Sequence, residues 1–220
     1  MPTLLLGSIG TLADTSELQR AAFNEAFRAH GLPWFWDRDI YREMLRQSGG
    51  RDRIAKQAQT EGRDVDAAAV HATKSALFQD MLQAGQFDLR PGILELIQDT
   101  RRAGHPVAFV TTTSAANVDR LLDALVLDPA LFDVTITRDD VAAPKPDPAC
   151  YRLAVQRLEK SAPDCIAIED NSDGVLAAQA AGLSCLAWPN SNTGDHDFHG
   201  ARVVSGDIRA AMNGPEVAAL

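Results

Sequence analysis

Hydrophobic and polar positions fall into two rhythms along this chain. The apolar run Leu4-Leu5-Leu6 passes into Gly7-Ser8-Ile9-Gly10-Thr11. A short, wholly apolar run followed by a Gly-rich turn predicts a strand buried on both faces that delivers its C-terminal end into a loop. From Ser16 the period becomes helical. Leu18, Ala21, Ala22, Phe23, Ala26 and Phe27 make one stripe of a helix over 16–30, stopped at Gly31. Segments 38–46, 51–60 and the Ala-rich 64–84 read the same way, so residues 16–86 carry no strand signal.

From Leu89 the rhythm changes again, after an Arg90-Pro91-Gly92 linker. Helices are predicted at 93–103, 115–127, 148–160 and 172–181. They alternate with strands at His105–Thr111, 133–137, Cys165–Ile168 and Ser184–Trp188. Alternation of buried strands with helices predicts an α/β fold with a doubly wound parallel sheet. The first strand precedes the helical block. The expected organisation is therefore a core of 1–15 and 89–220 with a helical bundle, 16–88, inserted into it. Hinges would sit at 13–16 and 87–92.

Composition narrows the function classes. The chain has 220 residues, 45% of them hydrophobic, and a formal charge of −9. That supports a sizeable core and argues against a nucleic-acid partner. No apolar run approaches a membrane span, and the N-terminus has no basic leader. Cys150, Cys165 and Cys185 are odd in number, lack a CxxC spacing and lie near apolar runs. They read as reduced, buried thiols of a cytoplasmic protein.

In such a sheet the strand C-termini converge on one edge, and four stations meet there. The first is the Gly7–Thr11 turn, where Gly10 and Thr11 offer N–H groups and a hydroxyl to an anion. The second is Thr111-Thr112-Thr113-Ser114, leading into a helix: either a phosphate cradle or a simple N-cap. The third is Lys145, held between Pro144 and Pro146: a phosphate partner or a solvated loop residue. The fourth is Glu169-Asp170-Asn171-Ser172-Asp173, a carboxylate cluster for a cation or for Lys145, with Ser172 and Asp173 as alternative caps. His30, His71 and His105 read as surface or helix-end residues, and His196 with His199 as loop residues rather than a metal pair.

In this order the stations GSIGT, TTTS, KPDP and IEDNSDG, with a helical insert after the first, resemble the haloacid dehalogenase superfamily over nearly the whole chain. Phe35–Arg38, Ser48-Gly49-Gly50-Arg51 and Thr193–Phe198 are most similar to its CbbY-like and β-phosphoglucomutase-like sugar phosphatases. The resemblance implies a Rossmann-like core, a helical cap, Mg²⁺ and a small phosphorylated sugar. It implies phosphate contacts at Gly10, Thr11, Thr111, Thr112 and Lys145, and metal contacts at Glu169 and Asp170. It implies substrate contacts from the cap at Ser16, Gln19, Gly50, Arg51, Arg53 and Lys74.

The first motif departs from the family pattern DxDGT. Gly7 and Ile9 stand where relatives carry the nucleophilic and the proton-transferring aspartates. Glycine has no side chain and isoleucine moves no proton, so both covalent and acid–base catalysis are lost. Removing groups that act as a unit costs on the order of 10⁶ in rate, roughly 8 kcal/mol. Strand alternation predicts that Ser8 faces away from the site and offers no substitute. With one anionic ligand gone, Mg²⁺ binding is expected to be weak or absent, leaving Lys145 to pair with Glu169 and Asp170. Ser16 and Gln19 take places where relatives often carry an acid and a histidine. Three readings follow: a crippled phosphatase homologue that binds a phosphorylated ligand, an active Mg²⁺-dependent sugar-phosphate hydrolase, or a partner-binding protein.

Overall fold

The computed structural model describes residues 1–47, 49–85 and 87–213. Ser48 of the Ser48–Arg51 turn, Gln86 at the end of the helical block and residues 214–220 of the second core segment lie outside them. The chain opens with β1 (Thr3–Leu6) and a single-turn helix α1 (Ile9–Leu12). Four helices follow: α2 (Ser16–Ala29), α3 (Arg38–Met44), α4 (Gly50–Thr60) and α5 (Ala67–Ala84). Next come α6 (Ile93–Arg102), β2 (Val107–Val110), α7 (Ala115–Ala124), β3 (Val134–Ile136) and α8 (Ala149–Arg157). The chain then forms β4 (Cys165–Glu169), α9 (Ser172–Ala180), β5 (Ser184–Ala187), β6 (Arg202–Val203) and α10 (Ile208–Met212).

The six strands form one parallel sheet in the order β3-β2-β1-β4-β5-β6. Each inner strand divides its residues between two cores, as period-two alternation requires. Leu4, Leu6, Val107, Phe109, Ile166 and Ile168 face one side, under α6 and α10. Leu5, Ala108, Val110, Ala167, Cys185 and Ala187 face the other, under α8 and α9. The three cysteine thiols are free and buried. Among the described residues, no helix is long and apolar enough to cross a membrane.

The helical block has a third core of its own. Phe23, Phe27, Trp34, Trp36, Tyr41, Ile54 and Val70 are all buried in it. Trp36 lies 4.7 Å, centroid to centroid, from both Phe23 and Phe27, and its indole N–H donates to Gln57 at 2.5 Å. Aromatic contacts of this kind stabilise by about 1 kcal/mol each beyond area burial. Asp37 and Asp66 accept N–H groups of the first turns of α3 and α5, so each helix start has a chemical cause. Ala22, Phe78 and Leu82 join the sheet-facing core and fasten the block to the sheet.

The return crossing is held by Arg90. Its guanidinium donates to the carbonyls of Gly10 (2.9 Å), Trp188 (2.7 Å) and Pro189 (2.8 Å) and lies 3.4 Å above the Trp188 ring. Its backbone N–H donates to the Leu12 carbonyl at 2.7 Å.

Several expected boundaries shift. The helix after Pro148 begins at Ala149, with the Asp147 carboxylate accepting the Ala149 N–H at 2.8 Å. The cap of α9 is Asn171, neither Ser172 nor Asp173. Three short elements carry no readable period: α1, β6 and α10.

Candidate functional site

The strand C-termini converge beneath the helical block, and a cavity of about 500 Å³ lies between the two layers. Its sheet side is lined by Ser8, Ile9, Gly10, Thr111–Ser114, Asn117, Arg138, Pro144, Asp170, Asn171, Asn190 and Thr193. Its helical side is lined by Ser16, Gln19, Phe23, Tyr41, Gly50, Arg51, Arg53, His71 and Lys74. The cationic side chains Arg51, Arg53, Lys74 and Arg138 outnumber the carboxylates Asp52 and Asp170. The cavity is thus electropositive inside a protein of net negative charge.

Four candidate residues sit below the cavity floor or are turned from it. Thr11 is fully buried, and its hydroxyl donates to the Ser8 carbonyl at 2.7 Å. The Lys145 ammonium donates to the carbonyls of Gly7 and Val110 and lies 2.6 Å from Glu169 Oε1. The Tyr151 hydroxyl donates to the same carboxylate oxygen at 2.7 Å. Gly7 and Glu169 complete this buried cluster. A Cβ on Gly7 would collide with the Glu169 carboxyl and the Tyr151 hydroxyl, and a Cβ on Gly174 would meet the same carboxyl from the other side. The missing side chain of Gly7 is therefore the room that Glu169 occupies. Burial pushes the Glu169 carboxyl upward from its ordinary range, against the opposing pull of Lys145.

Asp170 takes no part in the Lys145 pair, which corrects the expectation of a three-member cluster. Its oxygens accept Ser8 Oγ and Asn171 Nδ2, each at 2.7 Å, and Asn190 Nδ2 at 2.9 Å. Successive residues at the end of β4 point to different sides, so Glu169 goes below and Asp170 above. Ser8 overturns a second expectation. The strand ends at Leu6, so its alternation does not extend to Ser8, whose hydroxyl lies in the cavity.

A hard divalent cation wants several oxygen donors in a near-octahedral shell. Here Glu169 is engaged by an ammonium and a phenol, and Asp170 by three neutral donors. No group of three or more His, Cys, Asp or Glu residues suited to a metal occurs among the described residues. The side chains as arranged do not fit Mg²⁺.

The second station makes the N-cap and also lines the cavity. Ser114 caps α7 by accepting the Asn117 N–H at 3.4 Å, while Thr111 accepts the Thr113 N–H at 3.2 Å. Thr112 lines the cavity between them. Hydroxyls at a ten-residue helix's N-terminus favour an anion.

On the helical side, Ser16 donates to Asp14 at 2.8 Å and Gln19 accepts from Lys74 at 3.1 Å. The Arg53 guanidinium is bound to the carbonyls of Met44 and Gln47, so it closes the α3–α4 turn as well as lining the cavity. Arg51 is more exposed and pairs with Asp52 at 3.6 Å. His71 proves to be a cavity residue packed against Gly50, and burial followed by the Lys74 charge lowers its pKa to about 4. Sequence reasoning missed His71, Ser8, Arg138, Asn117 and Asn190. Only the position of His71 four residues after Ala67, on the stripe that includes Lys74, could have signalled one of them.

His196 and His199 both serve α9. The Ser172 N–H donates to His196 Nδ1 at 3.3 Å, and the Ser172 hydroxyl bonds His199 at 2.7 Å. The loop between them and β5 also reaches the helical block. Asp195 pairs with Arg42 at 3.2 Å and Arg46 at 3.3 Å, and Asn192 bridges Arg38 and Glu17.

Residues 9–182 match a family model described as haloacid dehalogenase-like hydrolase. Protein CbbY of Cereibacter sphaeroides is 43% identical over 197 residues, covering 87% of this chain and 86% of that protein. Validoxylamine A 7'-phosphate phosphatase of Streptomyces hygroscopicus subsp. limoneus is 31% identical, covering 80% of each chain. The crystal structure of CbbY from Rhodobacter sphaeroides in complex with phosphate superposes with a TM-score of 0.90, 40% identity and complete coverage of both chains. A mutant of that protein in complex with xylulose 1,5-bisphosphate superposes with a TM-score of 0.86 at 42% identity, covering 93% and 94%. The chain belongs to the haloacid dehalogenase-like hydrolases, among their CbbY-like members.

Proposed function

We propose that this chain binds a small phosphorylated sugar in the cavity between sheet and helical block, and that it lacks the aspartyl-phosphate route of hydrolysis. The block then acts as a cap over the ligand. The observation that carries the reading is the place of Glu169. Its carboxylate, fixed by Lys145 and Tyr151, fills the space beside Gly7 from which a nucleophilic aspartate would act. Anion recognition survives this loss. Thr111, Thr112 and the start of α7 line the cavity, as do Arg51, Arg53, Lys74 and Arg138. A helix N-terminus with hydroxyls and a set of cationic side chains together suit a ligand with two anionic groups, as in the xylulose 1,5-bisphosphate complex of the similar protein.

Ser8 supports a second reading, an active hydrolase. Its hydroxyl faces the cavity and already donates to a carboxylate, Asp170, at 2.7 Å. One experiment separates the two. Phosphate release and calorimetric binding are measured on a sugar-phosphate and bisphosphate panel, with and without Mg²⁺. Binding without release supports the first reading. Release that Ser8→Ala abolishes supports the second. Absence of both overturns each and leaves a protein partner as the remaining role.

A further inference from the structure

The helical wall of the cavity carries an amine without an acidic partner. Lys74, on α5, is only 4% exposed, yet it lines the cavity. Its ammonium nitrogen donates to Gln19 Oε1 at 3.1 Å and stands 4.8 Å from the centroids of both Phe23 and Phe78. Among the described residues no carboxylate pairs with it. The charged or titratable groups around it are Arg53 on α4, a cation, and His71 on its own helix. Burial, then the Arg53 charge, brings the Lys74 pKa down to about 7. A lysine desolvated between apolar groups and beside another cation has the environment that turns an amine into a nucleophile at neutral pH.

The surrounding cavity selects the electrophile. Its cationic lining gathers small anions, and open-chain sugar phosphates present an aldehyde or ketone alongside their phosphate. We infer that Lys74 forms an imine with the carbonyl carbon of a phosphorylated open-chain aldose or ketose held in this cavity. The Nζ–C bond forms and the C–O double bond breaks. The oxygen leaves as water with the two amine hydrogens, so no oxidant or further reactant enters. Gln19, accepting one N–H, is a positioning residue that orients the nitrogen. This inference rests on the sugar-phosphate reading above.

Borohydride trapping tests it on the whole protein, with dihydroxyacetone phosphate as the probe. After reduction and peptide mapping, the adduct mass is expected on Lys74 at least tenfold more often than on Lys56 or Lys160, which are exposed and serve as internal references. Lys74→Arg removes the nucleophile, so its adduct is expected to vanish, while calorimetric binding of glycerol 3-phosphate, which has no carbonyl, is measured on the wild-type protein as the reference for phosphate binding without imine formation. Dihydroxyacetone phosphate binding with no Lys74 adduct, or labelling spread evenly over the lysines, overturns the imine and leaves the sugar-phosphate reading standing. If neither probe binds and no adduct forms, both fall together.

Discussion

The Lys145 ammonium lies 2.6 Å from the Glu169 carboxylate, with the side chains 4% and 0% exposed. Such a pair is a weak source of net stability, because desolvation offsets most of its attraction. Breaking it is another matter. Glu169→Gln leaves a buried ammonium with only two carbonyls and a neutral amide. The expected loss is about 3–5 kcal/mol of folding stability, read from urea midpoints of the variant and its parent.

The same pair governs the restoration of catalysis. Sequence alone suggests that Gly7→Asp with Ile9→Asp simply returns the missing carboxylates. The structure adds a condition, since Glu169 must first swing away from Gly7. Lys145 then gains the new aspartate as partner, and Glu169 is freed as an oxygen donor. Ile9 is 6% exposed and packs into the sheet-facing core, so the variant also loses apolar burial, about 2 kcal/mol. Mg²⁺-dependent phosphatase activity is expected to appear in the double variant, whose lowered melting temperature rises on adding Mg²⁺. A folded double variant with neither response shows that Glu169 stays where it is.

Lys74 makes stability depend on pH. Its folded pKa, about 7, lies below the ordinary value of 10.5 because of burial and then Arg53. Between these values the unfolded chain holds a proton that the folded chain lacks, so stability rises with pH across that window. Around the amine, Arg53 stays charged and His71, at about 4, stays neutral. Wild type is expected to gain roughly 2 kcal/mol more than Lys74→Met between pH 7 and pH 9, measured by urea denaturation. Equal gains would place the Lys74 pKa near its ordinary value.

Asp195 joins the β5 loop to α3 through Arg42 and Arg46. All three side chains are about a third exposed or more, so Asp195→Ala is expected to cost less than about 1 kcal/mol in global stability. It should nevertheless speed tryptic cleavage after Arg42 and Arg46, because α3 keeps only the Arg38–Asn192 tie to that loop. Unchanged cleavage would show that the aromatic core around Tyr41 and the Arg38–Asn192 bond hold α3 without Asp195.

The legible parts of the fold were those whose burial has a period. Leu4–Leu6, Val107–Val110 and Cys165–Glu169 announce themselves because both faces of each strand are covered. Phe23 and Phe27 announce themselves on the stripe of the first long helix, but their union with Trp34 and Trp36 in a separate core has no local signal. Two-residue β6 and five-residue α10 are too short to show a period. In the site, residue identities were readable but their directions were not. The turn at Gly7 breaks strand alternation and sends Ser8 into the cavity. The neighbouring acids Glu169 and Asp170 diverge, one to a buried ammonium and one to a polar rim. Such choices depend on partners as far as 162 positions away, beyond any local pattern.

Arg90 gives the architecture a modular consequence. Wherever the chain travels after Leu12, it comes back to one post, with Arg90 bonded to the Gly10, Trp188 and Pro189 carbonyls. The helical block is thereby a cassette with a fixed socket. Its interior can lengthen, shorten or be exchanged for another ligand-shaping surface while the floor keeps its form. What such an exchange must conserve is the plug at residue 90 together with the sheet-facing contacts of Ala22, Phe78 and Leu82.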